Sequence, residues 1–155
     1  MALFLSTFFN KVDGKGRVSV PASFRQALTG QSFAGIVLFP AVKFAALEGS
    51  GIDRLQLLSQ RIDSLPEFSD ERAAISAIFA DAQPLPFDGE GRVMLPSWLA
   101  EHAGITETAA FVGIGSTFQI WEPERFQRHQ AEMRKLARNV TLPAPAGPLG
   151  GGAVR

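Results

Sequence analysis

The 155-residue sequence predicts an α+β fold, mainly β, made of two pseudo-symmetric halves in one chain with flanking helices. Three observations predict it. Residues 13–21 read DGKGRVSVP and residues 88–96 read DGEGRVMLP, identical at six of nine positions with an offset of 75. Further on, FAALE at 44–48 returns as FQIWE at 118–122 with an offset of 74. The same order of strand, turn, strand and short helix surrounds both copies. A period this long is too large for a solenoid unit and points to a duplicated half-domain.

Each half opens on an extended apolar run, LFLSTFF at 3–9 and a shorter PLPF at 84–87. A glycine-punctuated turn follows, with Gly14 and Gly16 in one copy and Gly89 and Gly91 in the other. Glycine there allows the positive φ that tight hairpin turns demand. The outgoing strands are RVSV at 17–20 and RVML at 92–95, with Val18 and Val20 on one face and Arg17 and Ser19 on the other. Pro21 and Pro96 suit the first position of a helix, giving short helices over 21–28 and 96–103. Gly30 and Gly104 lie just past their ends, where glycine commonly stops a helix. Two further strands are expected in each half, near 34–39 and 43–47, then near 109–114 and 117–121.

Longer helices follow each half. Ile52, Leu55, Leu58 and Ile62 recur at helical spacing, and a second helix is predicted over 70–81 with Ser69 as its N-cap and Asp70 and Glu71 in its first turn. Pro123 precedes a helix with Phe126, Met133, Leu136 and Ala137 on one face. From Thr141 the chain is rich in Pro and Gly and is expected to be disordered. The resulting division is 7–51 for the first half, 52–80 for a helical connector, 81–124 for the second half, 125–139 for a C-terminal helix and 140–155 for the tail.

Hydrophobic residues make up 46% of the chain and charged residues 19%, with 13 Phe and 2 Trp. The charged fraction is below the usual value of about 25%, which suggests burial between subunits as well as inside one. There is no Cys, so disulfides and thiolate metal sites are excluded. No apolar run approaches the roughly 20 residues of a membrane span, and the leader lacks the basic start of a signal peptide. A cytoplasmic protein is expected. The formal net charge is zero but segregated. Residues 1–25 carry Lys11, Lys15, Arg17 and Arg25 against Asp13, a net of +3; residues 26–123 carry five basic and twelve acidic side chains, a net of −7; residues 124–138 return to +3 with five basic and two acidic. Local fields of this kind outweigh the total charge within a Debye length.

The D-G-x-G-R turn places an acid and a base four residues apart across a bend. The guanidinium forks of Arg17 and Arg92 suit phosphate oxygens or the O6/N7 edge of guanine, and Lys15 near the apex suits a backbone phosphate. Asp13 and Asp88 would hold the arginines or cap the turn through an Asx interaction, and the N–H groups at the glycines offer a small anion nest. The competing reading is a purely structural Asp–Arg pair. The second copy carries Glu90 where the first carries Lys15, so the first half should make the stronger contact. Enzyme readings are weak. Paired-carboxylate proteases follow the Asp with Ser or Thr and then Gly, whereas Gly follows directly here. His102 and His129 each sit in a predicted helix without a second ligand at metal spacing, and nothing matches a phosphate loop. No catalytic residue, metal site, cofactor or small-molecule ligand is expected.

With both copies in view, DGKGRVSVPASFR at 13–25, DGEGRVMLP at 88–96 and FQIWE at 118–122 resemble the MraZ family of bacterial transcription regulators, which carry two tandem SpoVT-AbrB-type units. The likeness runs from about residue 4 to about residue 138, and departs in the Phe-rich leader and in the tail after 140. It implies a swapped-hairpin, AbrB-like β-barrel formed by the two halves. It also implies a ring-shaped homo-oligomer on the bacterial nucleoid, binding double-stranded DNA at direct repeats upstream of its own operon of cell-division and cell-wall genes. Within it Lys11, Lys15, Arg17 and Arg92 would meet DNA, supported by Asp13, Asp88, Gly14, Gly16, Gly89 and Gly91. The rival from another class is a ring-forming protein-interaction scaffold without DNA binding, in which the Asp–Arg pairs are structural.

Overall fold

The computed structural model describes residues 2–145. In chain order the elements are β1 (Thr7–Lys11), β2 (Arg17–Ser19), α1 (Ala22–Ala27), β3 (Gly35–Pro40), β4 (Leu47–Ser50), α2 (Ile52–Asp63), α3 (Asp70–Asp81), β5 (Gln83–Pro86), β6 (Arg92–Met94), α4 (Ser97–Ala103), β7 (Thr108–Gly113), β8 (Phe118–Trp121) and α5 (Pro123–Ala137). The result is a mixed α+β fold, mostly antiparallel sheet with five helices. The last residues of the tail, 146–155, lie outside the described residues, so the disorder expected there is not addressed.

Six strands form one sheet in the order β1-β7-β8-β4-β3-β5, and β2 and β6 form a separate two-stranded ribbon. The two central hairpins are local, β3–β4 in the first half and β7–β8 in the second. The edge strands are exchanged between halves. β1 pairs with β7, Phe9 opposite Ala110, while β5 pairs with β3, Leu85 opposite Ile36. The ribbon joins the halves about a pseudo-dyad, because Val18 faces Val93, its equivalent 75 residues later. Its flanking bonds obey the same symmetry: Val20 N–H donates to Gly91 O (3.1 Å) and Leu95 N–H to Gly16 O (2.8 Å).

One face of the ribbon is buried, and it dictates the core. Val18, Val20, Val93 and Leu95 point inward and join Phe24, Ile36 and Leu38 from the first half with Leu99, Phe111 and Ile120 from the second in one cluster. Phe4 from the leader inserts into this cluster, edge-on to Phe24 at 5.1 Å and to Phe118 at 5.0 Å. Much of the Phe excess therefore fills an internal core shared by both halves. The extended leader is broken at Ser6, whose φ is 76°, before β1 begins.

The helix signals hold with small displacements. Pro21 and Pro96 are N-caps and not first helical residues. Gly104 is the left-handed C-cap of α4 at φ 69°, whereas Gly30 lies two residues beyond the C-cap of α1. Ser69 Oγ accepts from Arg72 N–H as the N-cap of α3, and Pro123 is itself the first residue of α5 behind the N-cap Glu122. Two expectations fail. The strand expected at 43–47 begins only at Leu47, because Ala41 N–H donates to Ala46 O (2.9 Å) and closes a wide bend there, so FAALE is mostly connection while FQIWE is mostly strand. The apolar face of α5 is seated only at Phe126; Met133 and Leu136 are exposed.

The α2–α3 hairpin is thinly packed, with Leu55 and Ile75 the only buried side chains of its two helices. Its connection is nevertheless held tightly: the Arg72 guanidinium donates to Ile62 O (2.9 Å) and Leu65 O (3.2 Å). Phe68 at its tip has φ 113°, a conformation costing a bulky residue on the order of 1–3 kcal/mol.

Candidate nucleic-acid interface

Both D-G-x-G-R segments fold as the same carboxylate-centred turn. In the first, Asp13 N–H donates to Arg17 O (2.9 Å) and Gly16 N–H to Asp13 O (3.0 Å). The Asp13 carboxylate turns back over the loop: Oδ1 accepts from the N–H groups of Lys15 and Arg17 (2.9 Å each), and Oδ2 from Arg17 Nε (2.7 Å). In the second, Asp88 Oδ1 accepts from Glu90 and Arg92 N–H (2.8 and 2.9 Å) and Oδ2 from Arg92 Nε (2.9 Å). Asp thus performs both roles open to it, Asx cap and arginine anchor. Of the glycine N–H groups expected to form an anion nest, Gly16 N–H is committed inside the turn, as are those of residues 15 and 17. The glycines divide as well. Gly16 (φ 87°) and Gly91 (φ 76°) need the left-handed region, but Gly14 and Gly89 do not, and a Cβ at either would meet open space.

The ribbon places the arginines together. Arg17 lies opposite Met94 and Arg92 opposite Ser19, so all four share the outward face while Val18 and Val93 face the core. Arg17 and Arg92 occupy a diagonal, roughly 7–8 Å apart at the backbone. Asn10 Nδ2 ties β1 to this ribbon by donating to Ser19 O (2.7 Å), and Lys11 follows it, exposed, at the end of β1. The two guanidinium groups differ in what remains free. Asp13 takes only the Nε edge of Arg17, and among the described residues neither Nη of Arg17 has a protein partner. Arg92 is held at Nε by Asp88 and again at Nη2 by Glu90 (3.0 Å).

A family model described as "MraZ protein" matches residues 78–141, which contain the second turn. A protein of Gluconacetobacter diazotrophicus named transcriptional regulator MraZ is 44% identical over 97% of this chain and 98% of its own length. The chain belongs to the MraZ family. Proteins of the same name from Rickettsia bellii (45% identical, 92% of this chain and 96% of the relative) and Rickettsia akari (44%, 88% and 93%) also match it over most of its length.

In this MraZ chain the turn carboxylates are more acidic than an ordinary aspartate. The Arg17 N–H, then the Arg17 side chain and Lys15 N–H, hold Asp13 below the ordinary carboxylate value; the Arg92 N–H leads the same effect on Asp88. The hydrogen bond that Arg92 donates to Asp88 in turn raises the pKa of its guanidinium. Both turn carboxylates therefore stay ionised through the neutral range.

Arg25, outside the predicted site, joins it. It closes α1 and donates from Nε to Val20 O (3.1 Å), with its guanidinium against the second turn, where a Cβ on Gly91 would come within 2.7 Å of it. The available signal was asymmetry, since the position 75 residues later is Ala100. The two histidines take no part: His129 stacks on Trp121 at 4.4 Å, and His102 lies in α4. Among the described residues no group of His, Asp and Glu is arranged to hold a metal, and no helix is long and apolar enough to cross a membrane.

Proposed function

We propose that the chain is a sequence-specific DNA-binding transcription regulator, acting through the outward face of the β2–β6 ribbon. One observation carries this reading: the first turn presents Lys15 at its apex and an Arg17 guanidinium anchored at Nε with its Nη edge free. A fixed fork of this kind suits phosphate or guanine, and a two-stranded ribbon is a size the major groove admits. Arg92, already neutralised by two carboxylates, takes a smaller or structural part, with Lys11 a flanking phosphate contact.

The finer reading follows the family resemblance. Residues 7–51 and 81–124 act as two SpoVT-AbrB-type halves closing a swapped-hairpin barrel, with 52–80 as connector and 125–139 as a C-terminal helix. Copies assemble into a ring and bind direct repeats upstream of the protein's own cell-division and cell-wall operon, in the cytoplasm at the nucleoid. A ring raises the effective concentration of many small basic patches, which a chain with zero net charge needs.

The test is fluorescence anisotropy with a duplex from upstream of the protein's own gene, comparing the wild type with Arg17→Ala across a salt series. Tight binding that falls steeply with salt and is lost in Arg17→Ala, at unchanged oligomer size, is the expected result. The scaffold alternative draws on the Asp–Arg pairs, which do pin both turns. Loss of fold and assembly together in Arg17→Ala, with no preference of the wild type over a scrambled duplex, would favour it.

A further inference from the structure

The α2–α3 hairpin carries a knob at one end and a socket at the other. Phe68 is 99% exposed. It stands on a strained backbone, yet the connection beneath it is braced by Ser69 Oγ donating to Pro66 O (2.9 Å) and by the two Arg72 bonds. A bulky apolar side chain held outward at positive φ by a rigid support is a preorganised contact, and not the slack of a loose loop. Glu67 and Asp70 flank it, and among the described residues neither forms an ion pair.

Where the hairpin meets β3 and β4 there is a groove of about 380 Å³, walled by Phe39, Phe44, Leu58 and Ile78, with Lys43 and Arg54 in its lining. Neither cation has an ion-pair partner among the described residues. Glu48 also lines the groove, but its carboxylate accepts from Gln119 Nε2 (3.3 Å). Ile78 lies eight residues along α3 from Asp70, roughly 12 Å of helix away from the Phe68 end.

We propose that Phe68 of one copy seats in this groove of the next, with Glu67 and Asp70 set against Lys43 and Arg54. The occupant is argued from charge as well as shape: an apolar knob bordered by two unpaired acids matches an apolar socket bordered by two unpaired bases. Knob and socket are different surfaces, so the contact is head-to-tail and leaves a free knob and a free socket on every pair, which is the requirement for a ring. This rests on the self-association proposed above and gives it a definite contact.

Sedimentation of the full chain tests it, using a knobless variant (Phe68→Ala) and a socket-reversed variant (Lys43→Glu with Arg54→Glu). All three positions are at the surface or half-exposed, and circular dichroism checks that each variant folds. The expected result is an assembled wild type, association weakened roughly 30-fold or more in each variant alone, and a 1:1 dimer on mixing them, since one good socket then meets one good knob. A wild type that assembles while Phe68→Ala assembles equally well overturns the contact and leaves the assembly reading intact. A mixture that stays monomeric overturns the head-to-tail pairing, and a monomeric wild type overturns both.

Discussion

Residues 13–17 and 88–92 build the same turn from the same five hydrogen bonds, and differ only in the side chain at the middle position, Lys15 in one and Glu90 in the other. Lys15 leaves the first turn with a net positive charge and an arginine whose Nη edge is free; Glu90 closes that edge in the second. The Asp–Arg pair is thus scaffold in both copies, and what distinguishes them is a residue the scaffold does not need. A motif that recurs for structural reasons can be functional in one copy and silent in the other.

The comparison has a common footing, the shared core, and the largest expected effect is there. Phe24→Ala should cost about 3–5 kcal/mol. Both tryptophans, Trp98 and Trp121, lie in the second half, so their fluorescence should follow urea unfolding to a lower midpoint although the substitution is in the first. An unchanged midpoint would mean the halves fold independently. Next, Arg17→Ala should weaken binding to the promoter duplex on the order of 100-fold, the upper end for one bidentate contact, and Arg92→Ala by far less. Equal losses would erase the asymmetry. Glu90→Lys, which makes the second turn resemble the first, should tighten binding and steepen the plot of log K against log salt by about 1–2.

The smallest effect contrasts another equivalent pair. Glu48 and Glu122 align by sequence, yet burial pushes Glu48 up while the Arg125 N–H, donated to it as a helix N-cap, holds Glu122 down. A raised folded value means that ionising Glu48 costs stability, so Glu48→Gln should raise Tm at pH 7 and the gain should fade on acidification. A lowered value means that Glu122 stabilises above its unfolded pKa. Glu122→Gln should therefore lose roughly 0.3–1 kcal/mol at pH 7 and low salt, and that loss should vanish as pH falls through the folded value. Thermal melts between pH 7 and pH 3 check both signs.

What could be read from the chain follows the range of the forces involved. The turns were legible because the Asx bonds span two to four residues, and α2 and α3 because their apolar spacing and the Ser69 cap are local. The exchange of β1 onto β7 and β5 onto β3 rests on pairings some 50 to 100 residues apart, which residue pattern alone does not encode. FAALE misled because its likeness to FQIWE is compositional, whereas the hydrogen bond from Ala41 to Ala46 fixes where the strand can start. Of the site, Arg17, Lys15 and their Asp supports were named from sequence. Arg25 was not, since only the tertiary fold lays α1 against Gly91.

The dyad through Val18 and Val93 bears on the grammar of the DNA the protein would address. A ribbon with two equal turns looks the same from either end, and its natural target is a palindrome. Here one turn carries a net charge of +1 (Asp13, Lys15, Arg17) and the other −1 (Asp88, Glu90, Arg92), so the ribbon has a polarity and on a duplex would point one way along it. Copies arranged head-to-tail, all pointing one way, would match sites that also repeat in one orientation. With Lys15 in one turn and Glu90 in the other, a symmetric mark becomes an arrow.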